Sequence, residues 1–92
     1  MLTNLKDILI PAQDGGYAVA CFNVFGYEDA RAVVDAAEAC NASVILSINL
    51  DMRQFMPMEQ VIGMLRPMAE NAQVPVCLHL DHTYEIDIVK QA

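Results

Sequence analysis

Apolar positions in this chain alternate between two rhythms. Residues 3–13 carry Leu5, Ile8 and Leu9 at helical spacing, and Asp14-Gly15-Gly16 supplies the turn that ends the helix. Residues 17–25 (YAVACFNVF) are almost continuously apolar, the pattern of a parallel strand buried on both faces. Residues 28–40 return to helical spacing, with Ala30, Val33, Val34, Ala37 and Cys40 on one face and Arg31, Asp35 and Glu38 on the other. Glu28 and Asp29 suit the positive end of that helix, and Asn41 suits its C-terminal cap.

The alternation then repeats. Residues 43–49 (SVILSIN) read as a second buried strand, and residues 58–72 as a helix with Met58, Val61, Ile62, Leu65, Met68, Ala69 and Ala72 on one side. Pro57 fits the helix start. Pro67 removes the bond to the Gly63 carbonyl and crowds it, so a kink or break is expected near residues 63–67. Residues 74–81 (VPVCLHLD) form a third strand. Residues 84–92 begin a third helix, with Ile86, Val89 and Ile88 expected to face a core and no stop signal before Ala92. Strands recurring about every 25 to 30 residues with helices between them predict α/β architecture built from parallel crossover units. Two completions fit: an open doubly wound sheet, or the first three strands of an eight-stranded barrel.

Composition narrows the function classes. Of the 92 residues 55% are hydrophobic and 18% charged, which suits a packed fold over a disordered one. A net charge of −7 with five scattered Lys and Arg excludes nucleic acid as a partner. No apolar run approaches the ~20 residues that span a bilayer, and the N-terminus lacks a signal-peptide layout, so no membrane role is expected. Cys21, Cys40 and Cys77 are too far apart for a CxxC pair. They read as small buried hydrophobes in a reducing, cytoplasmic protein. Met52, Met56, Met58, Met64 and Met68 read as adaptable packing and not as a soft-metal site.

In parallel α/β folds, sites form at the carboxyl ends of strands. Asn23 stands near the end of the first strand, Asn49 and Asp51 at the end of the second, and Asp81 and His82 at the end of the third, so one shared rim is expected. An acid followed at once by an imidazole offers one group to move a proton and another to hold a metal. The plainer alternative has Asp81 capping the next helix, accepting from backbone N–H groups near Tyr84. His79 lies on the same side as Asp81 but deeper, and reads as a hydrogen-bonded supporting histidine.

The blocks Gly16-Tyr17-Ala18-Val19-Ala20-Cys21-Phe22-Asn23-Val24 and Val74-Pro75-Val76-Cys77-Leu78-His79-Leu80-Asp81-His82, with Ala36-Ala37-Glu38 and Val44-Ile45-Leu46 between them, resemble class II fructose- and tagatose-bisphosphate aldolases. The resemblance runs from about Leu5 to Ala92. It implies a TIM (β/α)8 barrel of which residues 1–92 are the N-terminal part, with a phosphorylated sugar as substrate and a homo-oligomer in the full-length family. It also implies cleavage of a ketose 1,6-bisphosphate to dihydroxyacetone phosphate and an aldehyde phosphate through a metal-stabilised enediolate. By the same resemblance Asp81 shuttles the substrate hydroxyl proton and His82 is one ligand of a catalytic Zn²⁺; Asn23 and Asn49, from their places at the strand ends, are expected to contact substrate.

Two segments depart from the family pattern: Ser47, Asn49 and Asp51 replace a Gln-x-Ser-x-Gly strand end, and Thr83 replaces the small residue that commonly follows the acid–histidine pair. The further zinc ligands and glycine-rich phosphate loops of the family fall outside these 92 residues, so the chain alone is expected to be inactive. A non-catalytic, truncated aldolase-like piece that serves only in assembly is the alternative. An independent α/β binding module would need a sheet satisfied with only three strands.

Overall fold

The computed structural model describes residues 1–92 as four parallel strands and five helices. In chain order these are β1 (Leu2–Thr3), α1 (Leu5–Gly15), β2 (Ala20–Asn23), α2 (Tyr27–Ala39), β3 (Val44–Ile48), α3 (Leu50–Phe55), α4 (Met58–Asn71), β4 (Val76–Leu80) and α5 (Ile86–Gln91). The sheet order is β1-β4-β3-β2, every pair parallel.

Registration is regular across the three main strands. Cys21, Ile45 and Cys77 form one row, and Asn23, Ser47 and His79 form the next in the strand direction. Residues two apart on a strand share a face, so these rows lie on one side and Phe22, Leu46 and Leu78 on the other. α1 covers the base of the first side through Ile8, which packs with Ile45, Cys77 and Val19. The second side carries the main core. Val44, Leu46, Ile48 and Val76 pack there against Val34 and Ala37 of α2 and Val61, Leu65 and Met68 of α4.

Local chemistry explains most boundaries. Asn4 caps α1 by accepting from the Asp7 N–H at 2.8 Å, and Gly16 ends it in the left-handed conformation at φ 72°. The Asp29 carboxylate gathers the N–H groups of Phe25, Gly26 and Ala30 at 2.7 to 2.9 Å, fixing the entry to α2. Asn41, just past α2, takes φ 50°, as its expected capping place requires. The N-terminal ammonium donates to the carbonyls of Ala72 and Val74, both at 2.6 Å, tying β1 to the start of β4.

Several expectations are corrected. The break near Pro67 is absent: α4 runs unbroken from Met58 to Asn71. Gly63 and Pro67 lie on its exposed side, where water can satisfy the carbonyl that proline leaves unpaired. β2 is shorter than the apolar run, and all four of its residues are exposed, Phe22 by 49%, because nothing packs beyond this edge strand. Cys21 and Cys40 are exposed for the same reason, and only Cys77 is buried. Ile86 and Val89 of α5 are exposed, since no element of the chain lies over them. β1 and α3 went unforeseen. The methionines behave as expected, with Met52 and Met68 in the core and Met56 and Met64 against it.

Leu46 is fully buried in the central strand β3. Leu46→Ala is expected to cost about 2–5 kcal/mol, read from urea denaturation followed by circular dichroism. Burial, and secondarily the neighbouring Cys21, push the Cys77 thiol above its ordinary value. Iodoacetamide at mildly alkaline pH is therefore expected to label Cys21 and Cys40 well before Cys77 in the native chain, a difference that urea abolishes.

Candidate functional site

The polar residues gather where β3 and β4 end. β4 continues the ladder one residue past Leu80, the Asp81 N–H donating to the Ile48 carbonyl at 2.8 Å. That bond sets Asp81 beside Asn49, one row above Ser47 and His79. The chain then turns sharply: His82 adopts φ 47°, a left-handed conformation that costs a non-glycine residue of the order of 1 kcal/mol. Adjacent acid and imidazole consequently project differently while staying close. His82 Nε2 lies 3.6 Å from Asp81 Oδ2, and His79 Nε2 lies 3.9 Å from Asp81 Oδ1, so one carboxylate stands between two imidazoles.

All three groups reach solvent. The side chain of Asp81 is 39% exposed, that of His79 36% and that of His82 65%. Asp81 Oδ1 accepts from the His82 N–H at 2.9 Å, not from the backbone near Tyr84. α5 begins only after Glu85 and has no side-chain cap, so Asp81 is not a helix-capping residue. Its carboxylate keeps acceptor capacity beyond that one bond.

A cleft of roughly 320 Å³ lies beside this pair, lined by Asn49, Leu50, Asp51, His82 and Tyr84. The structure thus brings Asn49 and Asp51 together with His82, as the shared rim requires. Asn49 has a structural duty as well, because its Oδ1 accepts from the Met52 N–H at 3.3 Å and caps α3. Asn23 is placed differently: its register partner is Ser47, so it sits one row deeper than Asn49 and Asp81 and does not line the cleft. His79 shares that deeper row, on the side of Asp81 and below it, as alternation predicts. Ser47 between them is buried, its hydroxyl without a protein partner.

Sequence reasoning missed Arg53. Residues 50–55 carry no clear helical stripe, yet they form α3, whose Arg53 reaches the loop after β4. There Nη1 donates to Thr83 Oγ1 at 2.5 Å and Nη2 to the His82 carbonyl at 3.2 Å. Thr83 Oγ1 in turn donates to the Asp81 carbonyl at 3.2 Å. The one available signal was Asn49 followed by Asp51, a cap with an acid in the first turn.

An exposed imidazole on the rim suits one donor position of a divalent metal. No three His, Cys, Asp or Glu side chains of the chain converge on one point, whereas a catalytic zinc takes three protein ligands. The Asp81 carboxylate, 3.6 Å from that imidazole, adds a group able to exchange a proton beside the cleft.

Comparison with known proteins gives a consistent result. A family model described as class-II fructose-bisphosphate aldolase matches residues 3–92. A fructose-bisphosphate aldolase of Staphylococcus aureus is 31% identical over 96 aligned residues, covering 99% of this chain and 33% of its own. One from Mycoplasma genitalium is 38% identical over 85 residues, covering 89% of this chain and 30% of its own. The crystal structure of the YdjI aldolase from Escherichia coli K12 superimposes with a TM-score of 0.91 at 33% identity, covering 98% of this chain and 35% of that one. The chain spans about a third of the length of the curated relatives it matches.

Proposed function

Because the chain belongs to the class II fructose-bisphosphate aldolase family, we propose that it is the opening portion, residues 1–92, of a single TIM-barrel domain that cleaves a ketose 1,6-bisphosphate, fructose or tagatose, to dihydroxyacetone phosphate and an aldehyde phosphate. The observation that carries this reading is the half-exposed Asp81 carboxylate at the carboxyl end of β4, 3.6 Å from the exposed His82 ring and beside the cleft that Asn49 and Asp51 line. Catalytic groups of barrel enzymes stand at that end of the strands.

Asp81 takes the proton from the substrate hydroxyl whose carbon becomes the aldehyde, as the adjoining carbon–carbon bond breaks, and later returns it. Its carboxylate stands between two imidazoles, 3.6 Å from His82 Nε2 and 3.9 Å from His79 Nε2. His82 is one donor to a divalent metal, Zn²⁺, and residues beyond these 92 supply the others. When bound, that ion supplies Lewis-acid polarisation of the substrate ketone. Asn49 holds α3 and faces the same cleft, so its amide both shapes and contacts the substrate pocket, while Asn23 acts from the row below. The proposed setting is the cytoplasm, in carbohydrate breakdown such as glycolysis, within a homo-oligomer of complete barrels. No helix of the chain is long and apolar enough to cross a membrane.

A second reading, an assembly piece without catalysis, is favoured by one observation: β2 exposes all four of its residues along an unpaired edge. Unpaired edges and apolar faces in water promote association. Light scattering on the 92-residue chain is expected to give a mass above 10.1 kDa; a stable monomer would count against this reading.

The catalytic reading is tested by activity. The chain alone, given Zn²⁺ and either bisphosphate, is expected to turn over neither, because the donor set is incomplete. In a complete barrel that carries these 92 residues, Asp81→Asn is expected to lower kcat about 10²- to 10⁴-fold, with the bound metal retained. His82→Ala is expected to lose metal as measured by elemental analysis. Full activity of Asp81→Asn would remove Asp81 from the chemistry.

A further inference from the structure

The left-handed backbone of His82 is the least comfortable local conformation on the rim, and such geometry persists only where surrounding contacts hold it. Part of the hold is local: the His82 N–H donates to its neighbour's Asp81 Oδ1 at 2.9 Å. The rest comes from a separate element. Arg53, 29 residues earlier on α3, donates to the His82 carbonyl at 3.2 Å and to Thr83 Oγ1 at 2.5 Å, and Thr83 Oγ1 passes a hydrogen bond to the Asp81 carbonyl at 3.2 Å. The three bonds reach three consecutive residues of the loop: the Asp81 carbonyl, the His82 carbonyl and the Thr83 hydroxyl.

We propose that Arg53 and Thr83 form a positioning clamp that holds His82 in its left-handed conformation and so aims the imidazole at the cleft. The planar guanidinium suits this, because its donors form a rigid fork that can serve two acceptors at once, which a lysine ammonium on a flexible stem matches less well. Thr83 is needed as both acceptor and donor, receiving from Arg53 and giving to Asp81; a residue without a hydroxyl breaks the relay. α3 is itself anchored by Asn49, its cap, which also lines the cleft. The clamp therefore ties the end of β3 to the end of β4 and sets the two sides of the cleft relative to each other. Arg53 and Thr83 do not line the cleft and act through the loop. Their importance to chemistry rests on the reading of His82 as a metal donor, whereas their effect on its backbone does not.

The test reads the backbone directly. In the isotopically labelled 92-residue chain, nuclear magnetic resonance should show the strong intraresidue HN–Hα cross-peak of His82 that a positive φ produces. Arg53→Met and Thr83→Val should each lose that cross-peak and shift the His82 and Thr83 amides, while the amides of Leu46 and Val76 in the core stay in place. Thr83→Ser, which keeps the hydroxyl, should retain it, and Arg53→Lys should weaken it. The double variant should lose at least as much as either single one, because Arg53 also holds the His82 carbonyl directly. Should the valine variant unfold, Thr83→Ser and Arg53→Met still decide the matter. An unchanged His82 cross-peak in Arg53→Met, or its loss in Thr83→Ser as complete as in Arg53→Met, would overturn the clamp. Neither readout depends on turnover, so failure of the clamp and failure of the aldolase reading are separable.

Discussion

The hydrogen bond from the Asp81 N–H to the Ile48 carbonyl is the last rung of the β3–β4 ladder, and the candidate site depends on it. Side chains on a strand alternate between faces, so a slip of one residue would turn Asp81 away and present its neighbour instead. In the observed register Asp81 follows His79 on the face that carries Ser47 and Asn23, while Leu78 and Leu80 take the opposite face beside the helices. The pairing is enforced from that second side, where the buried row of Val44, Leu46 and Ile48 meets α2 and α4. Packing on one side of the sheet thus decides which chemistry appears on the other.

Along the first side the character changes from base to rim. Ile8 of α1 seals the base against Ile45 and Cys77, and the row above is polar: Asn23, Ser47 and His79. At the rim stand Asn49, Asp51, Asp81 and His82. Apolar packing at the amino ends of the strands and polar groups at the carboxyl ends is the division expected of a barrel. The edge of β2 is unpaired and Ile86 and Val89 of α5 are exposed, and the chain spans about a third of its relatives' length.

Much of this was legible in the residues. Helical spacing marked α2 and α4, continuous apolar runs marked β3 and β4, and the Asp81-His82 pair at a strand end marked the rim. What escaped had identifiable reasons. β1 is two residues long and is drawn to the sheet by the ammonium of Met1, a contact with residues more than seventy positions away that no local pattern encodes. α3 is six residues long, too short for an apolar stripe, and only its cap announced it. Pro67 misled because proline's cost depends on which way the freed carbonyl faces, and here it faces water. The exposure of Cys21, Cys40 and β2 could not be read from composition, because burial belongs to neighbours and an edge strand has one fewer.

The register at the rim can be measured without reference to activity. A through-hydrogen-bond scalar coupling connects an amide nitrogen to the carbonyl carbon that accepts its proton, and so reports the pairing itself. The structure requires a coupling between the Asp81 nitrogen and the Ile48 carbonyl carbon. A coupling to the carbonyl of Ser47 or Asn49 instead would mean the strand end is shifted by one residue, and the assignment of Asp81 to the reactive face would be wrong.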